Sequence, residues 1–293
     1  MPAADLHGRT VGVDRLQPGD HAFLGYADDD TLWEILRIFT QQGLARDEKV
    51  GLLVDVDRSP GWVAARVAGG PAAADRAMRR RQLVVSNRPR FARGRFDAGR
   101  LVEGARRRLD TVLAEGFSGM RSASEMSLAL APVDHLGQTV EFESKLHSSL
   151  FSAGGSPRCT GLCFWDERLF GGTDAMDAVR DVHPVNVLSP LGALHASVTG
   201  NVVRVAGDSD LANRAAFDAA LLELNGRPAT ALVLDITDLS FFDAHSAAGV
   251  LRLAANLTAP RRLEVRCRGA QRRLLHLLGG RSVRQLSIVT TRL

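Results

Sequence analysis

The residue spacings that mark the common catalytic sites are missing from this 293-residue chain. It holds no G-x-S-x-G elbow, no H-E-x-x-H helix and no paired zinc knuckle, and its eight histidines are scattered. Cys159-x3-Cys163 has the reach to share a metal ion, but no second close Cys/His pair completes a tetrahedron. With Cys267 these make three cysteines, an odd count that reads as reduced structural thiols. Glu141 and Glu143 stand about 200° apart around a helix, so they form no acid/base pair. The sequence therefore predicts no enzyme, no metal and no cofactor.

Binding is better represented than catalysis. Aromatic and polar residues gather at the ends of candidate strands: Tyr26, Asp55, Asp57, Ser86, Glu125, Cys163, Trp165 and Asp166, with His21 just upstream in the first strand. An open parallel sheet places its crevices beyond the C-terminal ends of its strands. Aromatics supply contact area there and a few polar groups supply orientation, so these residues predict a small-molecule pocket. Each also has a structural reading, with Trp165 and Cys163 packing the core and Glu125 and Asp166 pairing with nearby arginines.

The elements that must position these residues alternate. Strands are expected at 19–25, 49–56, 82–86, 119–123 and 160–165, with helical patterning at 28–44, 62–80, 97–116 and 133–151. Strands separated by helices of ten or more residues imply an α/β domain, a largely parallel sheet covered on both faces. Around Val182–Leu194 two prolines and few charges mark a linker. Beyond it, strands at 195–199 and 202–206 meet at Gly200-Asn201, a good hairpin turn. Helices at 211–225, 246–257 and 271–278 then alternate with strands at 231–236, 263–268 and 285–289, so a second sheet with helices is expected.

Composition fits two globular domains: the chain is 45% hydrophobic and 24% charged. No apolar run approaches the roughly 20 residues of a membrane span, and the N-terminus lacks a secretory pattern, so the expectation is a cytoplasmic protein. Of 37 basic residues only Lys49 and Lys145 are lysine. Residues 1–185 carry 24 basic and 25 acidic residues, whereas 186–293 carry 13 and 8. The surplus lies in two stretches, 76–95 and 261–293. Basic patches attract nucleic acid, anionic lipid or acidic protein, and composition does not choose among these.

The second block resembles a STAS domain, the fold of anti-sigma-factor antagonists. The resemblance rests on Gly207-Asp-Ser-Asp-Leu211, on Leu232-Val-Leu-Asp-Ile-Thr-Asp-Leu-Ser-Phe-Phe-Asp243, on Gly249-Val-Leu, and on Arg272-Arg-Leu-Leu-His-Leu-Leu-Gly-Gly280. In antagonists the turn after the central strand reads D-S-S-G and its second serine is phosphorylated by a partner kinase. Here the turn reads Asp243-Ala-His245-Ser246, so the phosphoacceptor place falls on His245 or Ser246 according to the direction of counting. Ser246 at a helix start would either cap free N–H groups or carry a phosphate favoured by the helix dipole.

The first block resembles the MEDS sensory domain, thought to descend from the RecA/KaiC-like P-loop fold. It does so through Gly19-Asp-His21 with Tyr26, Asp28-Asp-Asp-Thr-Leu32, Gln82-Leu-Val-Val85, Gly94-Arg-Phe-Asp97, Ser124-Glu-Met-Ser127 with Leu130, Glu141-x-Glu143, Leu162-Cys-Phe-Trp-Asp-Glu-Arg-Leu-Phe170 and His183-Pro184. Where a P-loop would cradle phosphates, Gly25–Leu32 has no lysine and three carboxylates, which repel a polyphosphate and instead suit a first helical turn.

Together the two resemblances imply a sensory domain at 14–185, a linker at 186–194 and a STAS-like mixed sheet with helices at 195–293. They imply a non-enzymatic signalling protein that senses a ligand or protein state and binds an anti-sigma factor or related kinase-type partner. Pairing of either module into a homodimer stays open. A nucleic-acid-binding regulator is the alternative, but no helix-turn-helix, zinc finger or RNA-binding aromatic signature supports it.

Overall fold

The computed structural model describes residues 8–54, 58–87, 97–127, 136–152, 157–170 and 174–291. Asp55 and Asp57 lie outside the described residues, as do residues 94–96 and Leu130. The chain divides into two compact units, the first holding the residues up to Arg9 and Val13–Pro190, the second Thr10–Gly12 and Leu191–Leu293.

The strands of the larger sheet are β1 (Arg9–Val11), β2 (His21–Tyr26), β3 (Lys49–Leu53), β4 (Leu83–Ser86), β5 (Met120–Glu125), β6 (Cys159–Asp166) and β7 (Val185–Val187). They form one sheet in the order β1-β7-β2-β6-β5-β3-β4, and every ladder from β7 to β4 is parallel. The largely parallel sheet expected from the alternating pattern is present. Parallel neighbours need crossover connections, and helices supply them. α1 (Asp29–Ala45) follows β2, α2 (Pro60–Ala68) and α3 (Pro71–Arg79) follow β3, and α4 (Ala98–Ala114) follows β4. α5 (Leu136–Leu146) follows β5, while α6 (Glu167–Phe170) and α7 (Asp174–Asp181) lie between β6 and β7.

Register sorts the central strands into two faces, because cross-strand partners point the same way. His21–Gly161–Ser122 and Phe23–Cys163–Ser124 lie on one face. Leu24–Phe164–Glu125 and Tyr26–Asp166 lie on the other. On the first face Phe23, Cys163 and Trp165 pack with Val102 of α4, Phe142 of α5 and Val179 of α7. α1 covers the second face closely enough that a Cβ on Gly43 would stand 2.6 Å from Val50.

Two local differences from the sequence reading have physical causes. The stretch 62–80 is two helices, because Gly69 and Gly70 take φ of +94° and +113° and Pro71 opens α3. Part of the expected linker is β7, which pairs Val185 with Ala22 and Asn186 with Phe23. Val185, Val187 and Leu188 are buried, so this proline-flanked stretch extends the sheet.

The second unit contains β8 (Leu194–Thr199), β9 (Val202–Ser209), α8 (Arg214–Asn225), β10 (Ala231–Phe242), α9 (Ala244–Asn256), β11 (Arg262–Cys267), α10 (Gly269–Leu277) and β12 (Leu286–Thr290). The sheet order is β12-β11-β10-β9-β8, antiparallel only between β8 and β9, which turn at Gly200 with φ of +59°. Its core joins Val203, Leu234 and Val265 of the sheet to Phe217 and Leu221 of α8, Val250 of α9 and Leu275 of α10. This is the expected mixed sheet with helices.

Candidate functional site

Four polar side chains are buried together in the first unit. His21, Glu143, Cys163 and His183 each bring one ligating atom to within 4.8 Å of the others. His21 opens β2, Cys163 is the fifth residue of β6, Glu143 is on α5, and His183 precedes β7. His21 Nε2 lies 3.2 Å from Glu143 Oε2 and 3.5 Å from Cys163 Sγ. The Cys163 thiol donates to Glu143 Oε2 at 3.6 Å, and His183 Nε2 stands 3.7 Å from the same oxygen. His183 Nδ1 donates to the Val179 carbonyl at 2.6 Å, which leaves Nε2 as the lone-pair nitrogen. That Nε2 is buried without a hydrogen-bond partner, as is His21 Nδ1.

Burial, reinforced by His147, pushes the His21 pKa down to about 3. Burial, followed by the neighbouring His21, pushes His183 down to about 3 as well. Both rings are therefore neutral at physiological pH and keep a free lone pair. The His21 ring stacks on Phe151 with centroids 4.7 Å apart and planes within 4°.

Local backbone makes this stack possible. Beyond α5 the chain widens into a π-helical turn, His147–Phe151, closed by Ser152 N–H donating to the His147 carbonyl at 3.0 Å. Such turns insert one residue into a helix and recur at functional sites. Here the turn presents Phe151 to His21 shortly after Glu143. Gly161 faces both rings, and a Cβ there would stand 2.6 Å from Phe151 Cζ and 3.3 Å from His21 Cδ2.

The same sheet face opens into a cavity of about 490 Å³. Among the described residues its floor is Gly51, Ser122, Ser124 and Gly161, and its roof includes Ala105 and Thr111 of α4 with Leu150 and Phe151 of the π-helical turn. Small residues on the strands leave the space. His21, Ser86 and Cys163 line it, as do Lys49 and Arg108. The space extends along the face of the sheet, from Lys49 and Met120 at strand starts to Ser86 at a strand end. A crevice beyond the strand ends was expected; this cavity lies on the sheet face beneath α4 and takes in His21, Ser86 and Cys163 of the expected residues.

The remaining pocket residues go elsewhere. Trp165 is fully buried in the core with Phe23. Tyr26, Glu125 and Asp166 lie on the opposite face, where Arg168 bridges Asp166 Oδ2 at 2.7 Å and Asp29 Oδ1 at 2.9 Å, 5.7 Å over the Tyr26 ring. Burial, then Glu125 and Asp166, raise the Tyr26 phenol. Asp28 caps α1 by accepting from Thr31 N–H at 2.8 Å, and Asp30 pairs with Arg66 at 3.3 Å. The acidic turn Asp28–Asp30 is thus occupied by a cap and ion pairs.

In the second unit Asp243 is the N-cap of α9, accepting from Ser246 N–H at 2.7 Å. Burial acts to raise its pKa, but the Ser246 donors and Arg214 outweigh it and hold the carboxyl below its usual range. Ser246 is the third helical residue, not the cap. Its hydroxyl is buried and accepts a 2.7 Å bond from Ser209. His245 is half-buried, 3.9 Å from Asp218.

Glu143 and His183 escaped the sequence reading as site residues, since neither sits at metal-site spacing from a partner. The signal was placement. All four buried groups fall inside segments that carry the first block's resemblance, and a charged or imidazole side chain on an apolar face asks for a partner.

A family profile for MEDS, the MEthanogen/methylotroph, DcmR Sensory domain, matches residues 20–184, more than half of the chain. Among solved structures, similarity is found to a crystal structure of an anti-sigma factor antagonist from Mycobacterium paratuberculosis. The match has 22% identity, covers 34% of this chain and 86% of that one, and has a TM-score of 0.30. A search of curated proteins returns no match.

Proposed function

We infer the role of this protein from the family it belongs to: through residues 20–184 the chain is a member of the MEDS sensory family. We propose that it is a non-enzymatic regulator in which the module at 14–185 senses a small molecule and the STAS-like module at 195–293 binds an anti-sigma factor or related kinase-type protein. The observation that carries the sensing half is the 490 Å³ cavity, mostly apolar, with His21 and Cys163 among its lining residues. Its size is that of a small-ligand site.

The output half is supported by one end of the second sheet. Phe241 and Leu211 are 54% and 74% exposed there, beside the Asp243–Ser246 turn. Exposed apolar side chains next to a helix start suit a protein partner. A phosphate on Ser246 would break the Ser209–Ser246 bond and face the Asp243 carboxylate, so modification would loosen this edge. No helix of the described residues is long and apolar enough to cross a membrane.

The test is a pull-down from native cytosol with the full chain, followed by phosphoprotein mass spectrometry. Recovery of a kinase-type anti-sigma factor is expected, with loss on Phe241→Glu, weakening on Ser246→Asp, and phosphate on Ser246 after incubation with the kinase. Recovery of nucleic acid without such a protein would overturn the reading in favour of a nucleic-acid regulator.

A further inference from the structure

The four-residue cluster has a geometry that hydrogen bonding alone leaves unfinished. With His183 Nδ1–H committed to Val179, the lone pair of Nε2 faces Glu143 Oε2, another acceptor, across 3.7 Å. Two buried acceptors facing each other call for a positive charge between them. We propose that His21 Nε2, Glu143 Oε2, Cys163 Sγ and His183 Nε2 form a binding site for one borderline divalent cation of the zinc class.

Geometry supports the assignment. Tetrahedral zinc, with bonds of about 2.0–2.1 Å to nitrogen and oxygen and about 2.3 Å to sulfur, has edges of about 3.3 Å between N/O ligands and about 3.5 Å to sulfur. The edges here are 3.2 Å for His21–Glu143, 3.5 Å for His21–Cys163 and 3.6 Å for Cys163–Glu143. His183 Nε2 stands 3.7 Å from Glu143 Oε2 and within 4.8 Å of the other two donor atoms, so its ring has to move inward to complete the tetrahedron. The bond from His183 Nδ1 to Val179 is also the outer-shell contact that fixes a ligating imidazole.

Charge fits as well. On binding, the Cys163 thiol releases its proton to solvent and the sulfur lone pair forms the bond to the cation. Thiolate, carboxylate and two neutral imidazoles then cancel the +2 charge, the condition a buried centre needs. Mixed sulfur, nitrogen and oxygen donors select zinc, and its stand-in cobalt, over magnesium or calcium. His21 and Cys163 also line the cavity, which gives the ion an access route. The site stands independently of any cavity ligand and of the sensory reading.

The test strips the full-length protein with a chelator and titrates it with Co²⁺, then Zn²⁺. Expected are one cobalt per chain, tetrahedral-intensity visible bands, a near-ultraviolet thiolate-to-cobalt charge-transfer band, and displacement by zinc. Cys163→Ser should abolish the charge-transfer band, whereas Cys267→Ser, in the second unit, should keep it. Far-ultraviolet circular dichroism checks that each variant folds. If Cys163→Ser does not, X-ray absorption at the zinc edge of the wild type decides, with one sulfur and three nitrogen or oxygen neighbours expected. Folded wild type that takes up no stoichiometric metal, cobalt bound without a thiolate band, or zinc with only nitrogen and oxygen neighbours would each overturn the proposal.

Discussion

Arg121 is fully buried in β5, where its Nε donates to Glu48 Oε2 at 2.6 Å and its guanidinium lies 4.7 Å from the Phe39 ring centroid. The pair is a liability if split, because an uncompensated charge in the interior costs more than the pair contributes. Glu48→Ala should therefore destabilise the first unit by about 3–5 kcal/mol in denaturant unfolding. Glu48→Leu combined with Arg121→Met should recover most of that loss, and an additive double variant would contradict the coupling. Residue-level reading from sequence did well where chemistry is local. The acids at 28–30 were legible as a first helical turn because capping and dipole effects act within one turn. Glu143 and His183 were not legible as site residues, because their partners lie 20 or more residues away and only the packing of α5 and of the segment before β7 against the sheet brings them together.

Among the elements, the floor of the cavity sorts glycines by consequence. Gly161→Ala places a methyl 2.6 Å from Phe151 Cζ, so the stacked ring must move. Overpacking of this kind costs about 1–3 kcal/mol, measurable as a lower denaturation midpoint. Gly51 lines the same cavity with nothing within 4 Å of an added Cβ. Gly51→Ala should be neutral or stabilise by about 0.4–1 kcal/mol, and equal losses at the two positions would refute the cavity's shape. The identities of the long helices and strands were legible from their periodicity. The break at Gly69-Gly70-Pro71 and the short β7 were not separated out, since a helical pattern runs through the first and two prolines disguise the second. The cavity was sought at the strand ends; only the structure shows that small residues hollow out a face.

Over the whole molecule, charge is less free than the sequence suggests. Among the described residues of the second unit, Arg261 donates to the Asn225 and Arg227 carbonyls at 2.7 and 3.1 Å, Arg266 pairs with Glu264 at 2.8 Å, and Arg227 pairs with Glu223. Such arginines do structural duty and release few counterions on contact with DNA. Any duplex DNA binding seen at low salt should vanish at about 0.15 M salt in fluorescence anisotropy; sequence-selective binding that persists would restore the nucleic-acid alternative. The two-unit plan and the sensory family were legible because many weak segments stand in a distinctive order. The buried cluster adds a constraint in time. His21 and His183 are 162 residues apart, so at roughly 5–20 residues per second a ribosome needs about 8–30 s after making the first histidine to make the last. No chain truncated before His183 possesses all four side chains of the cluster.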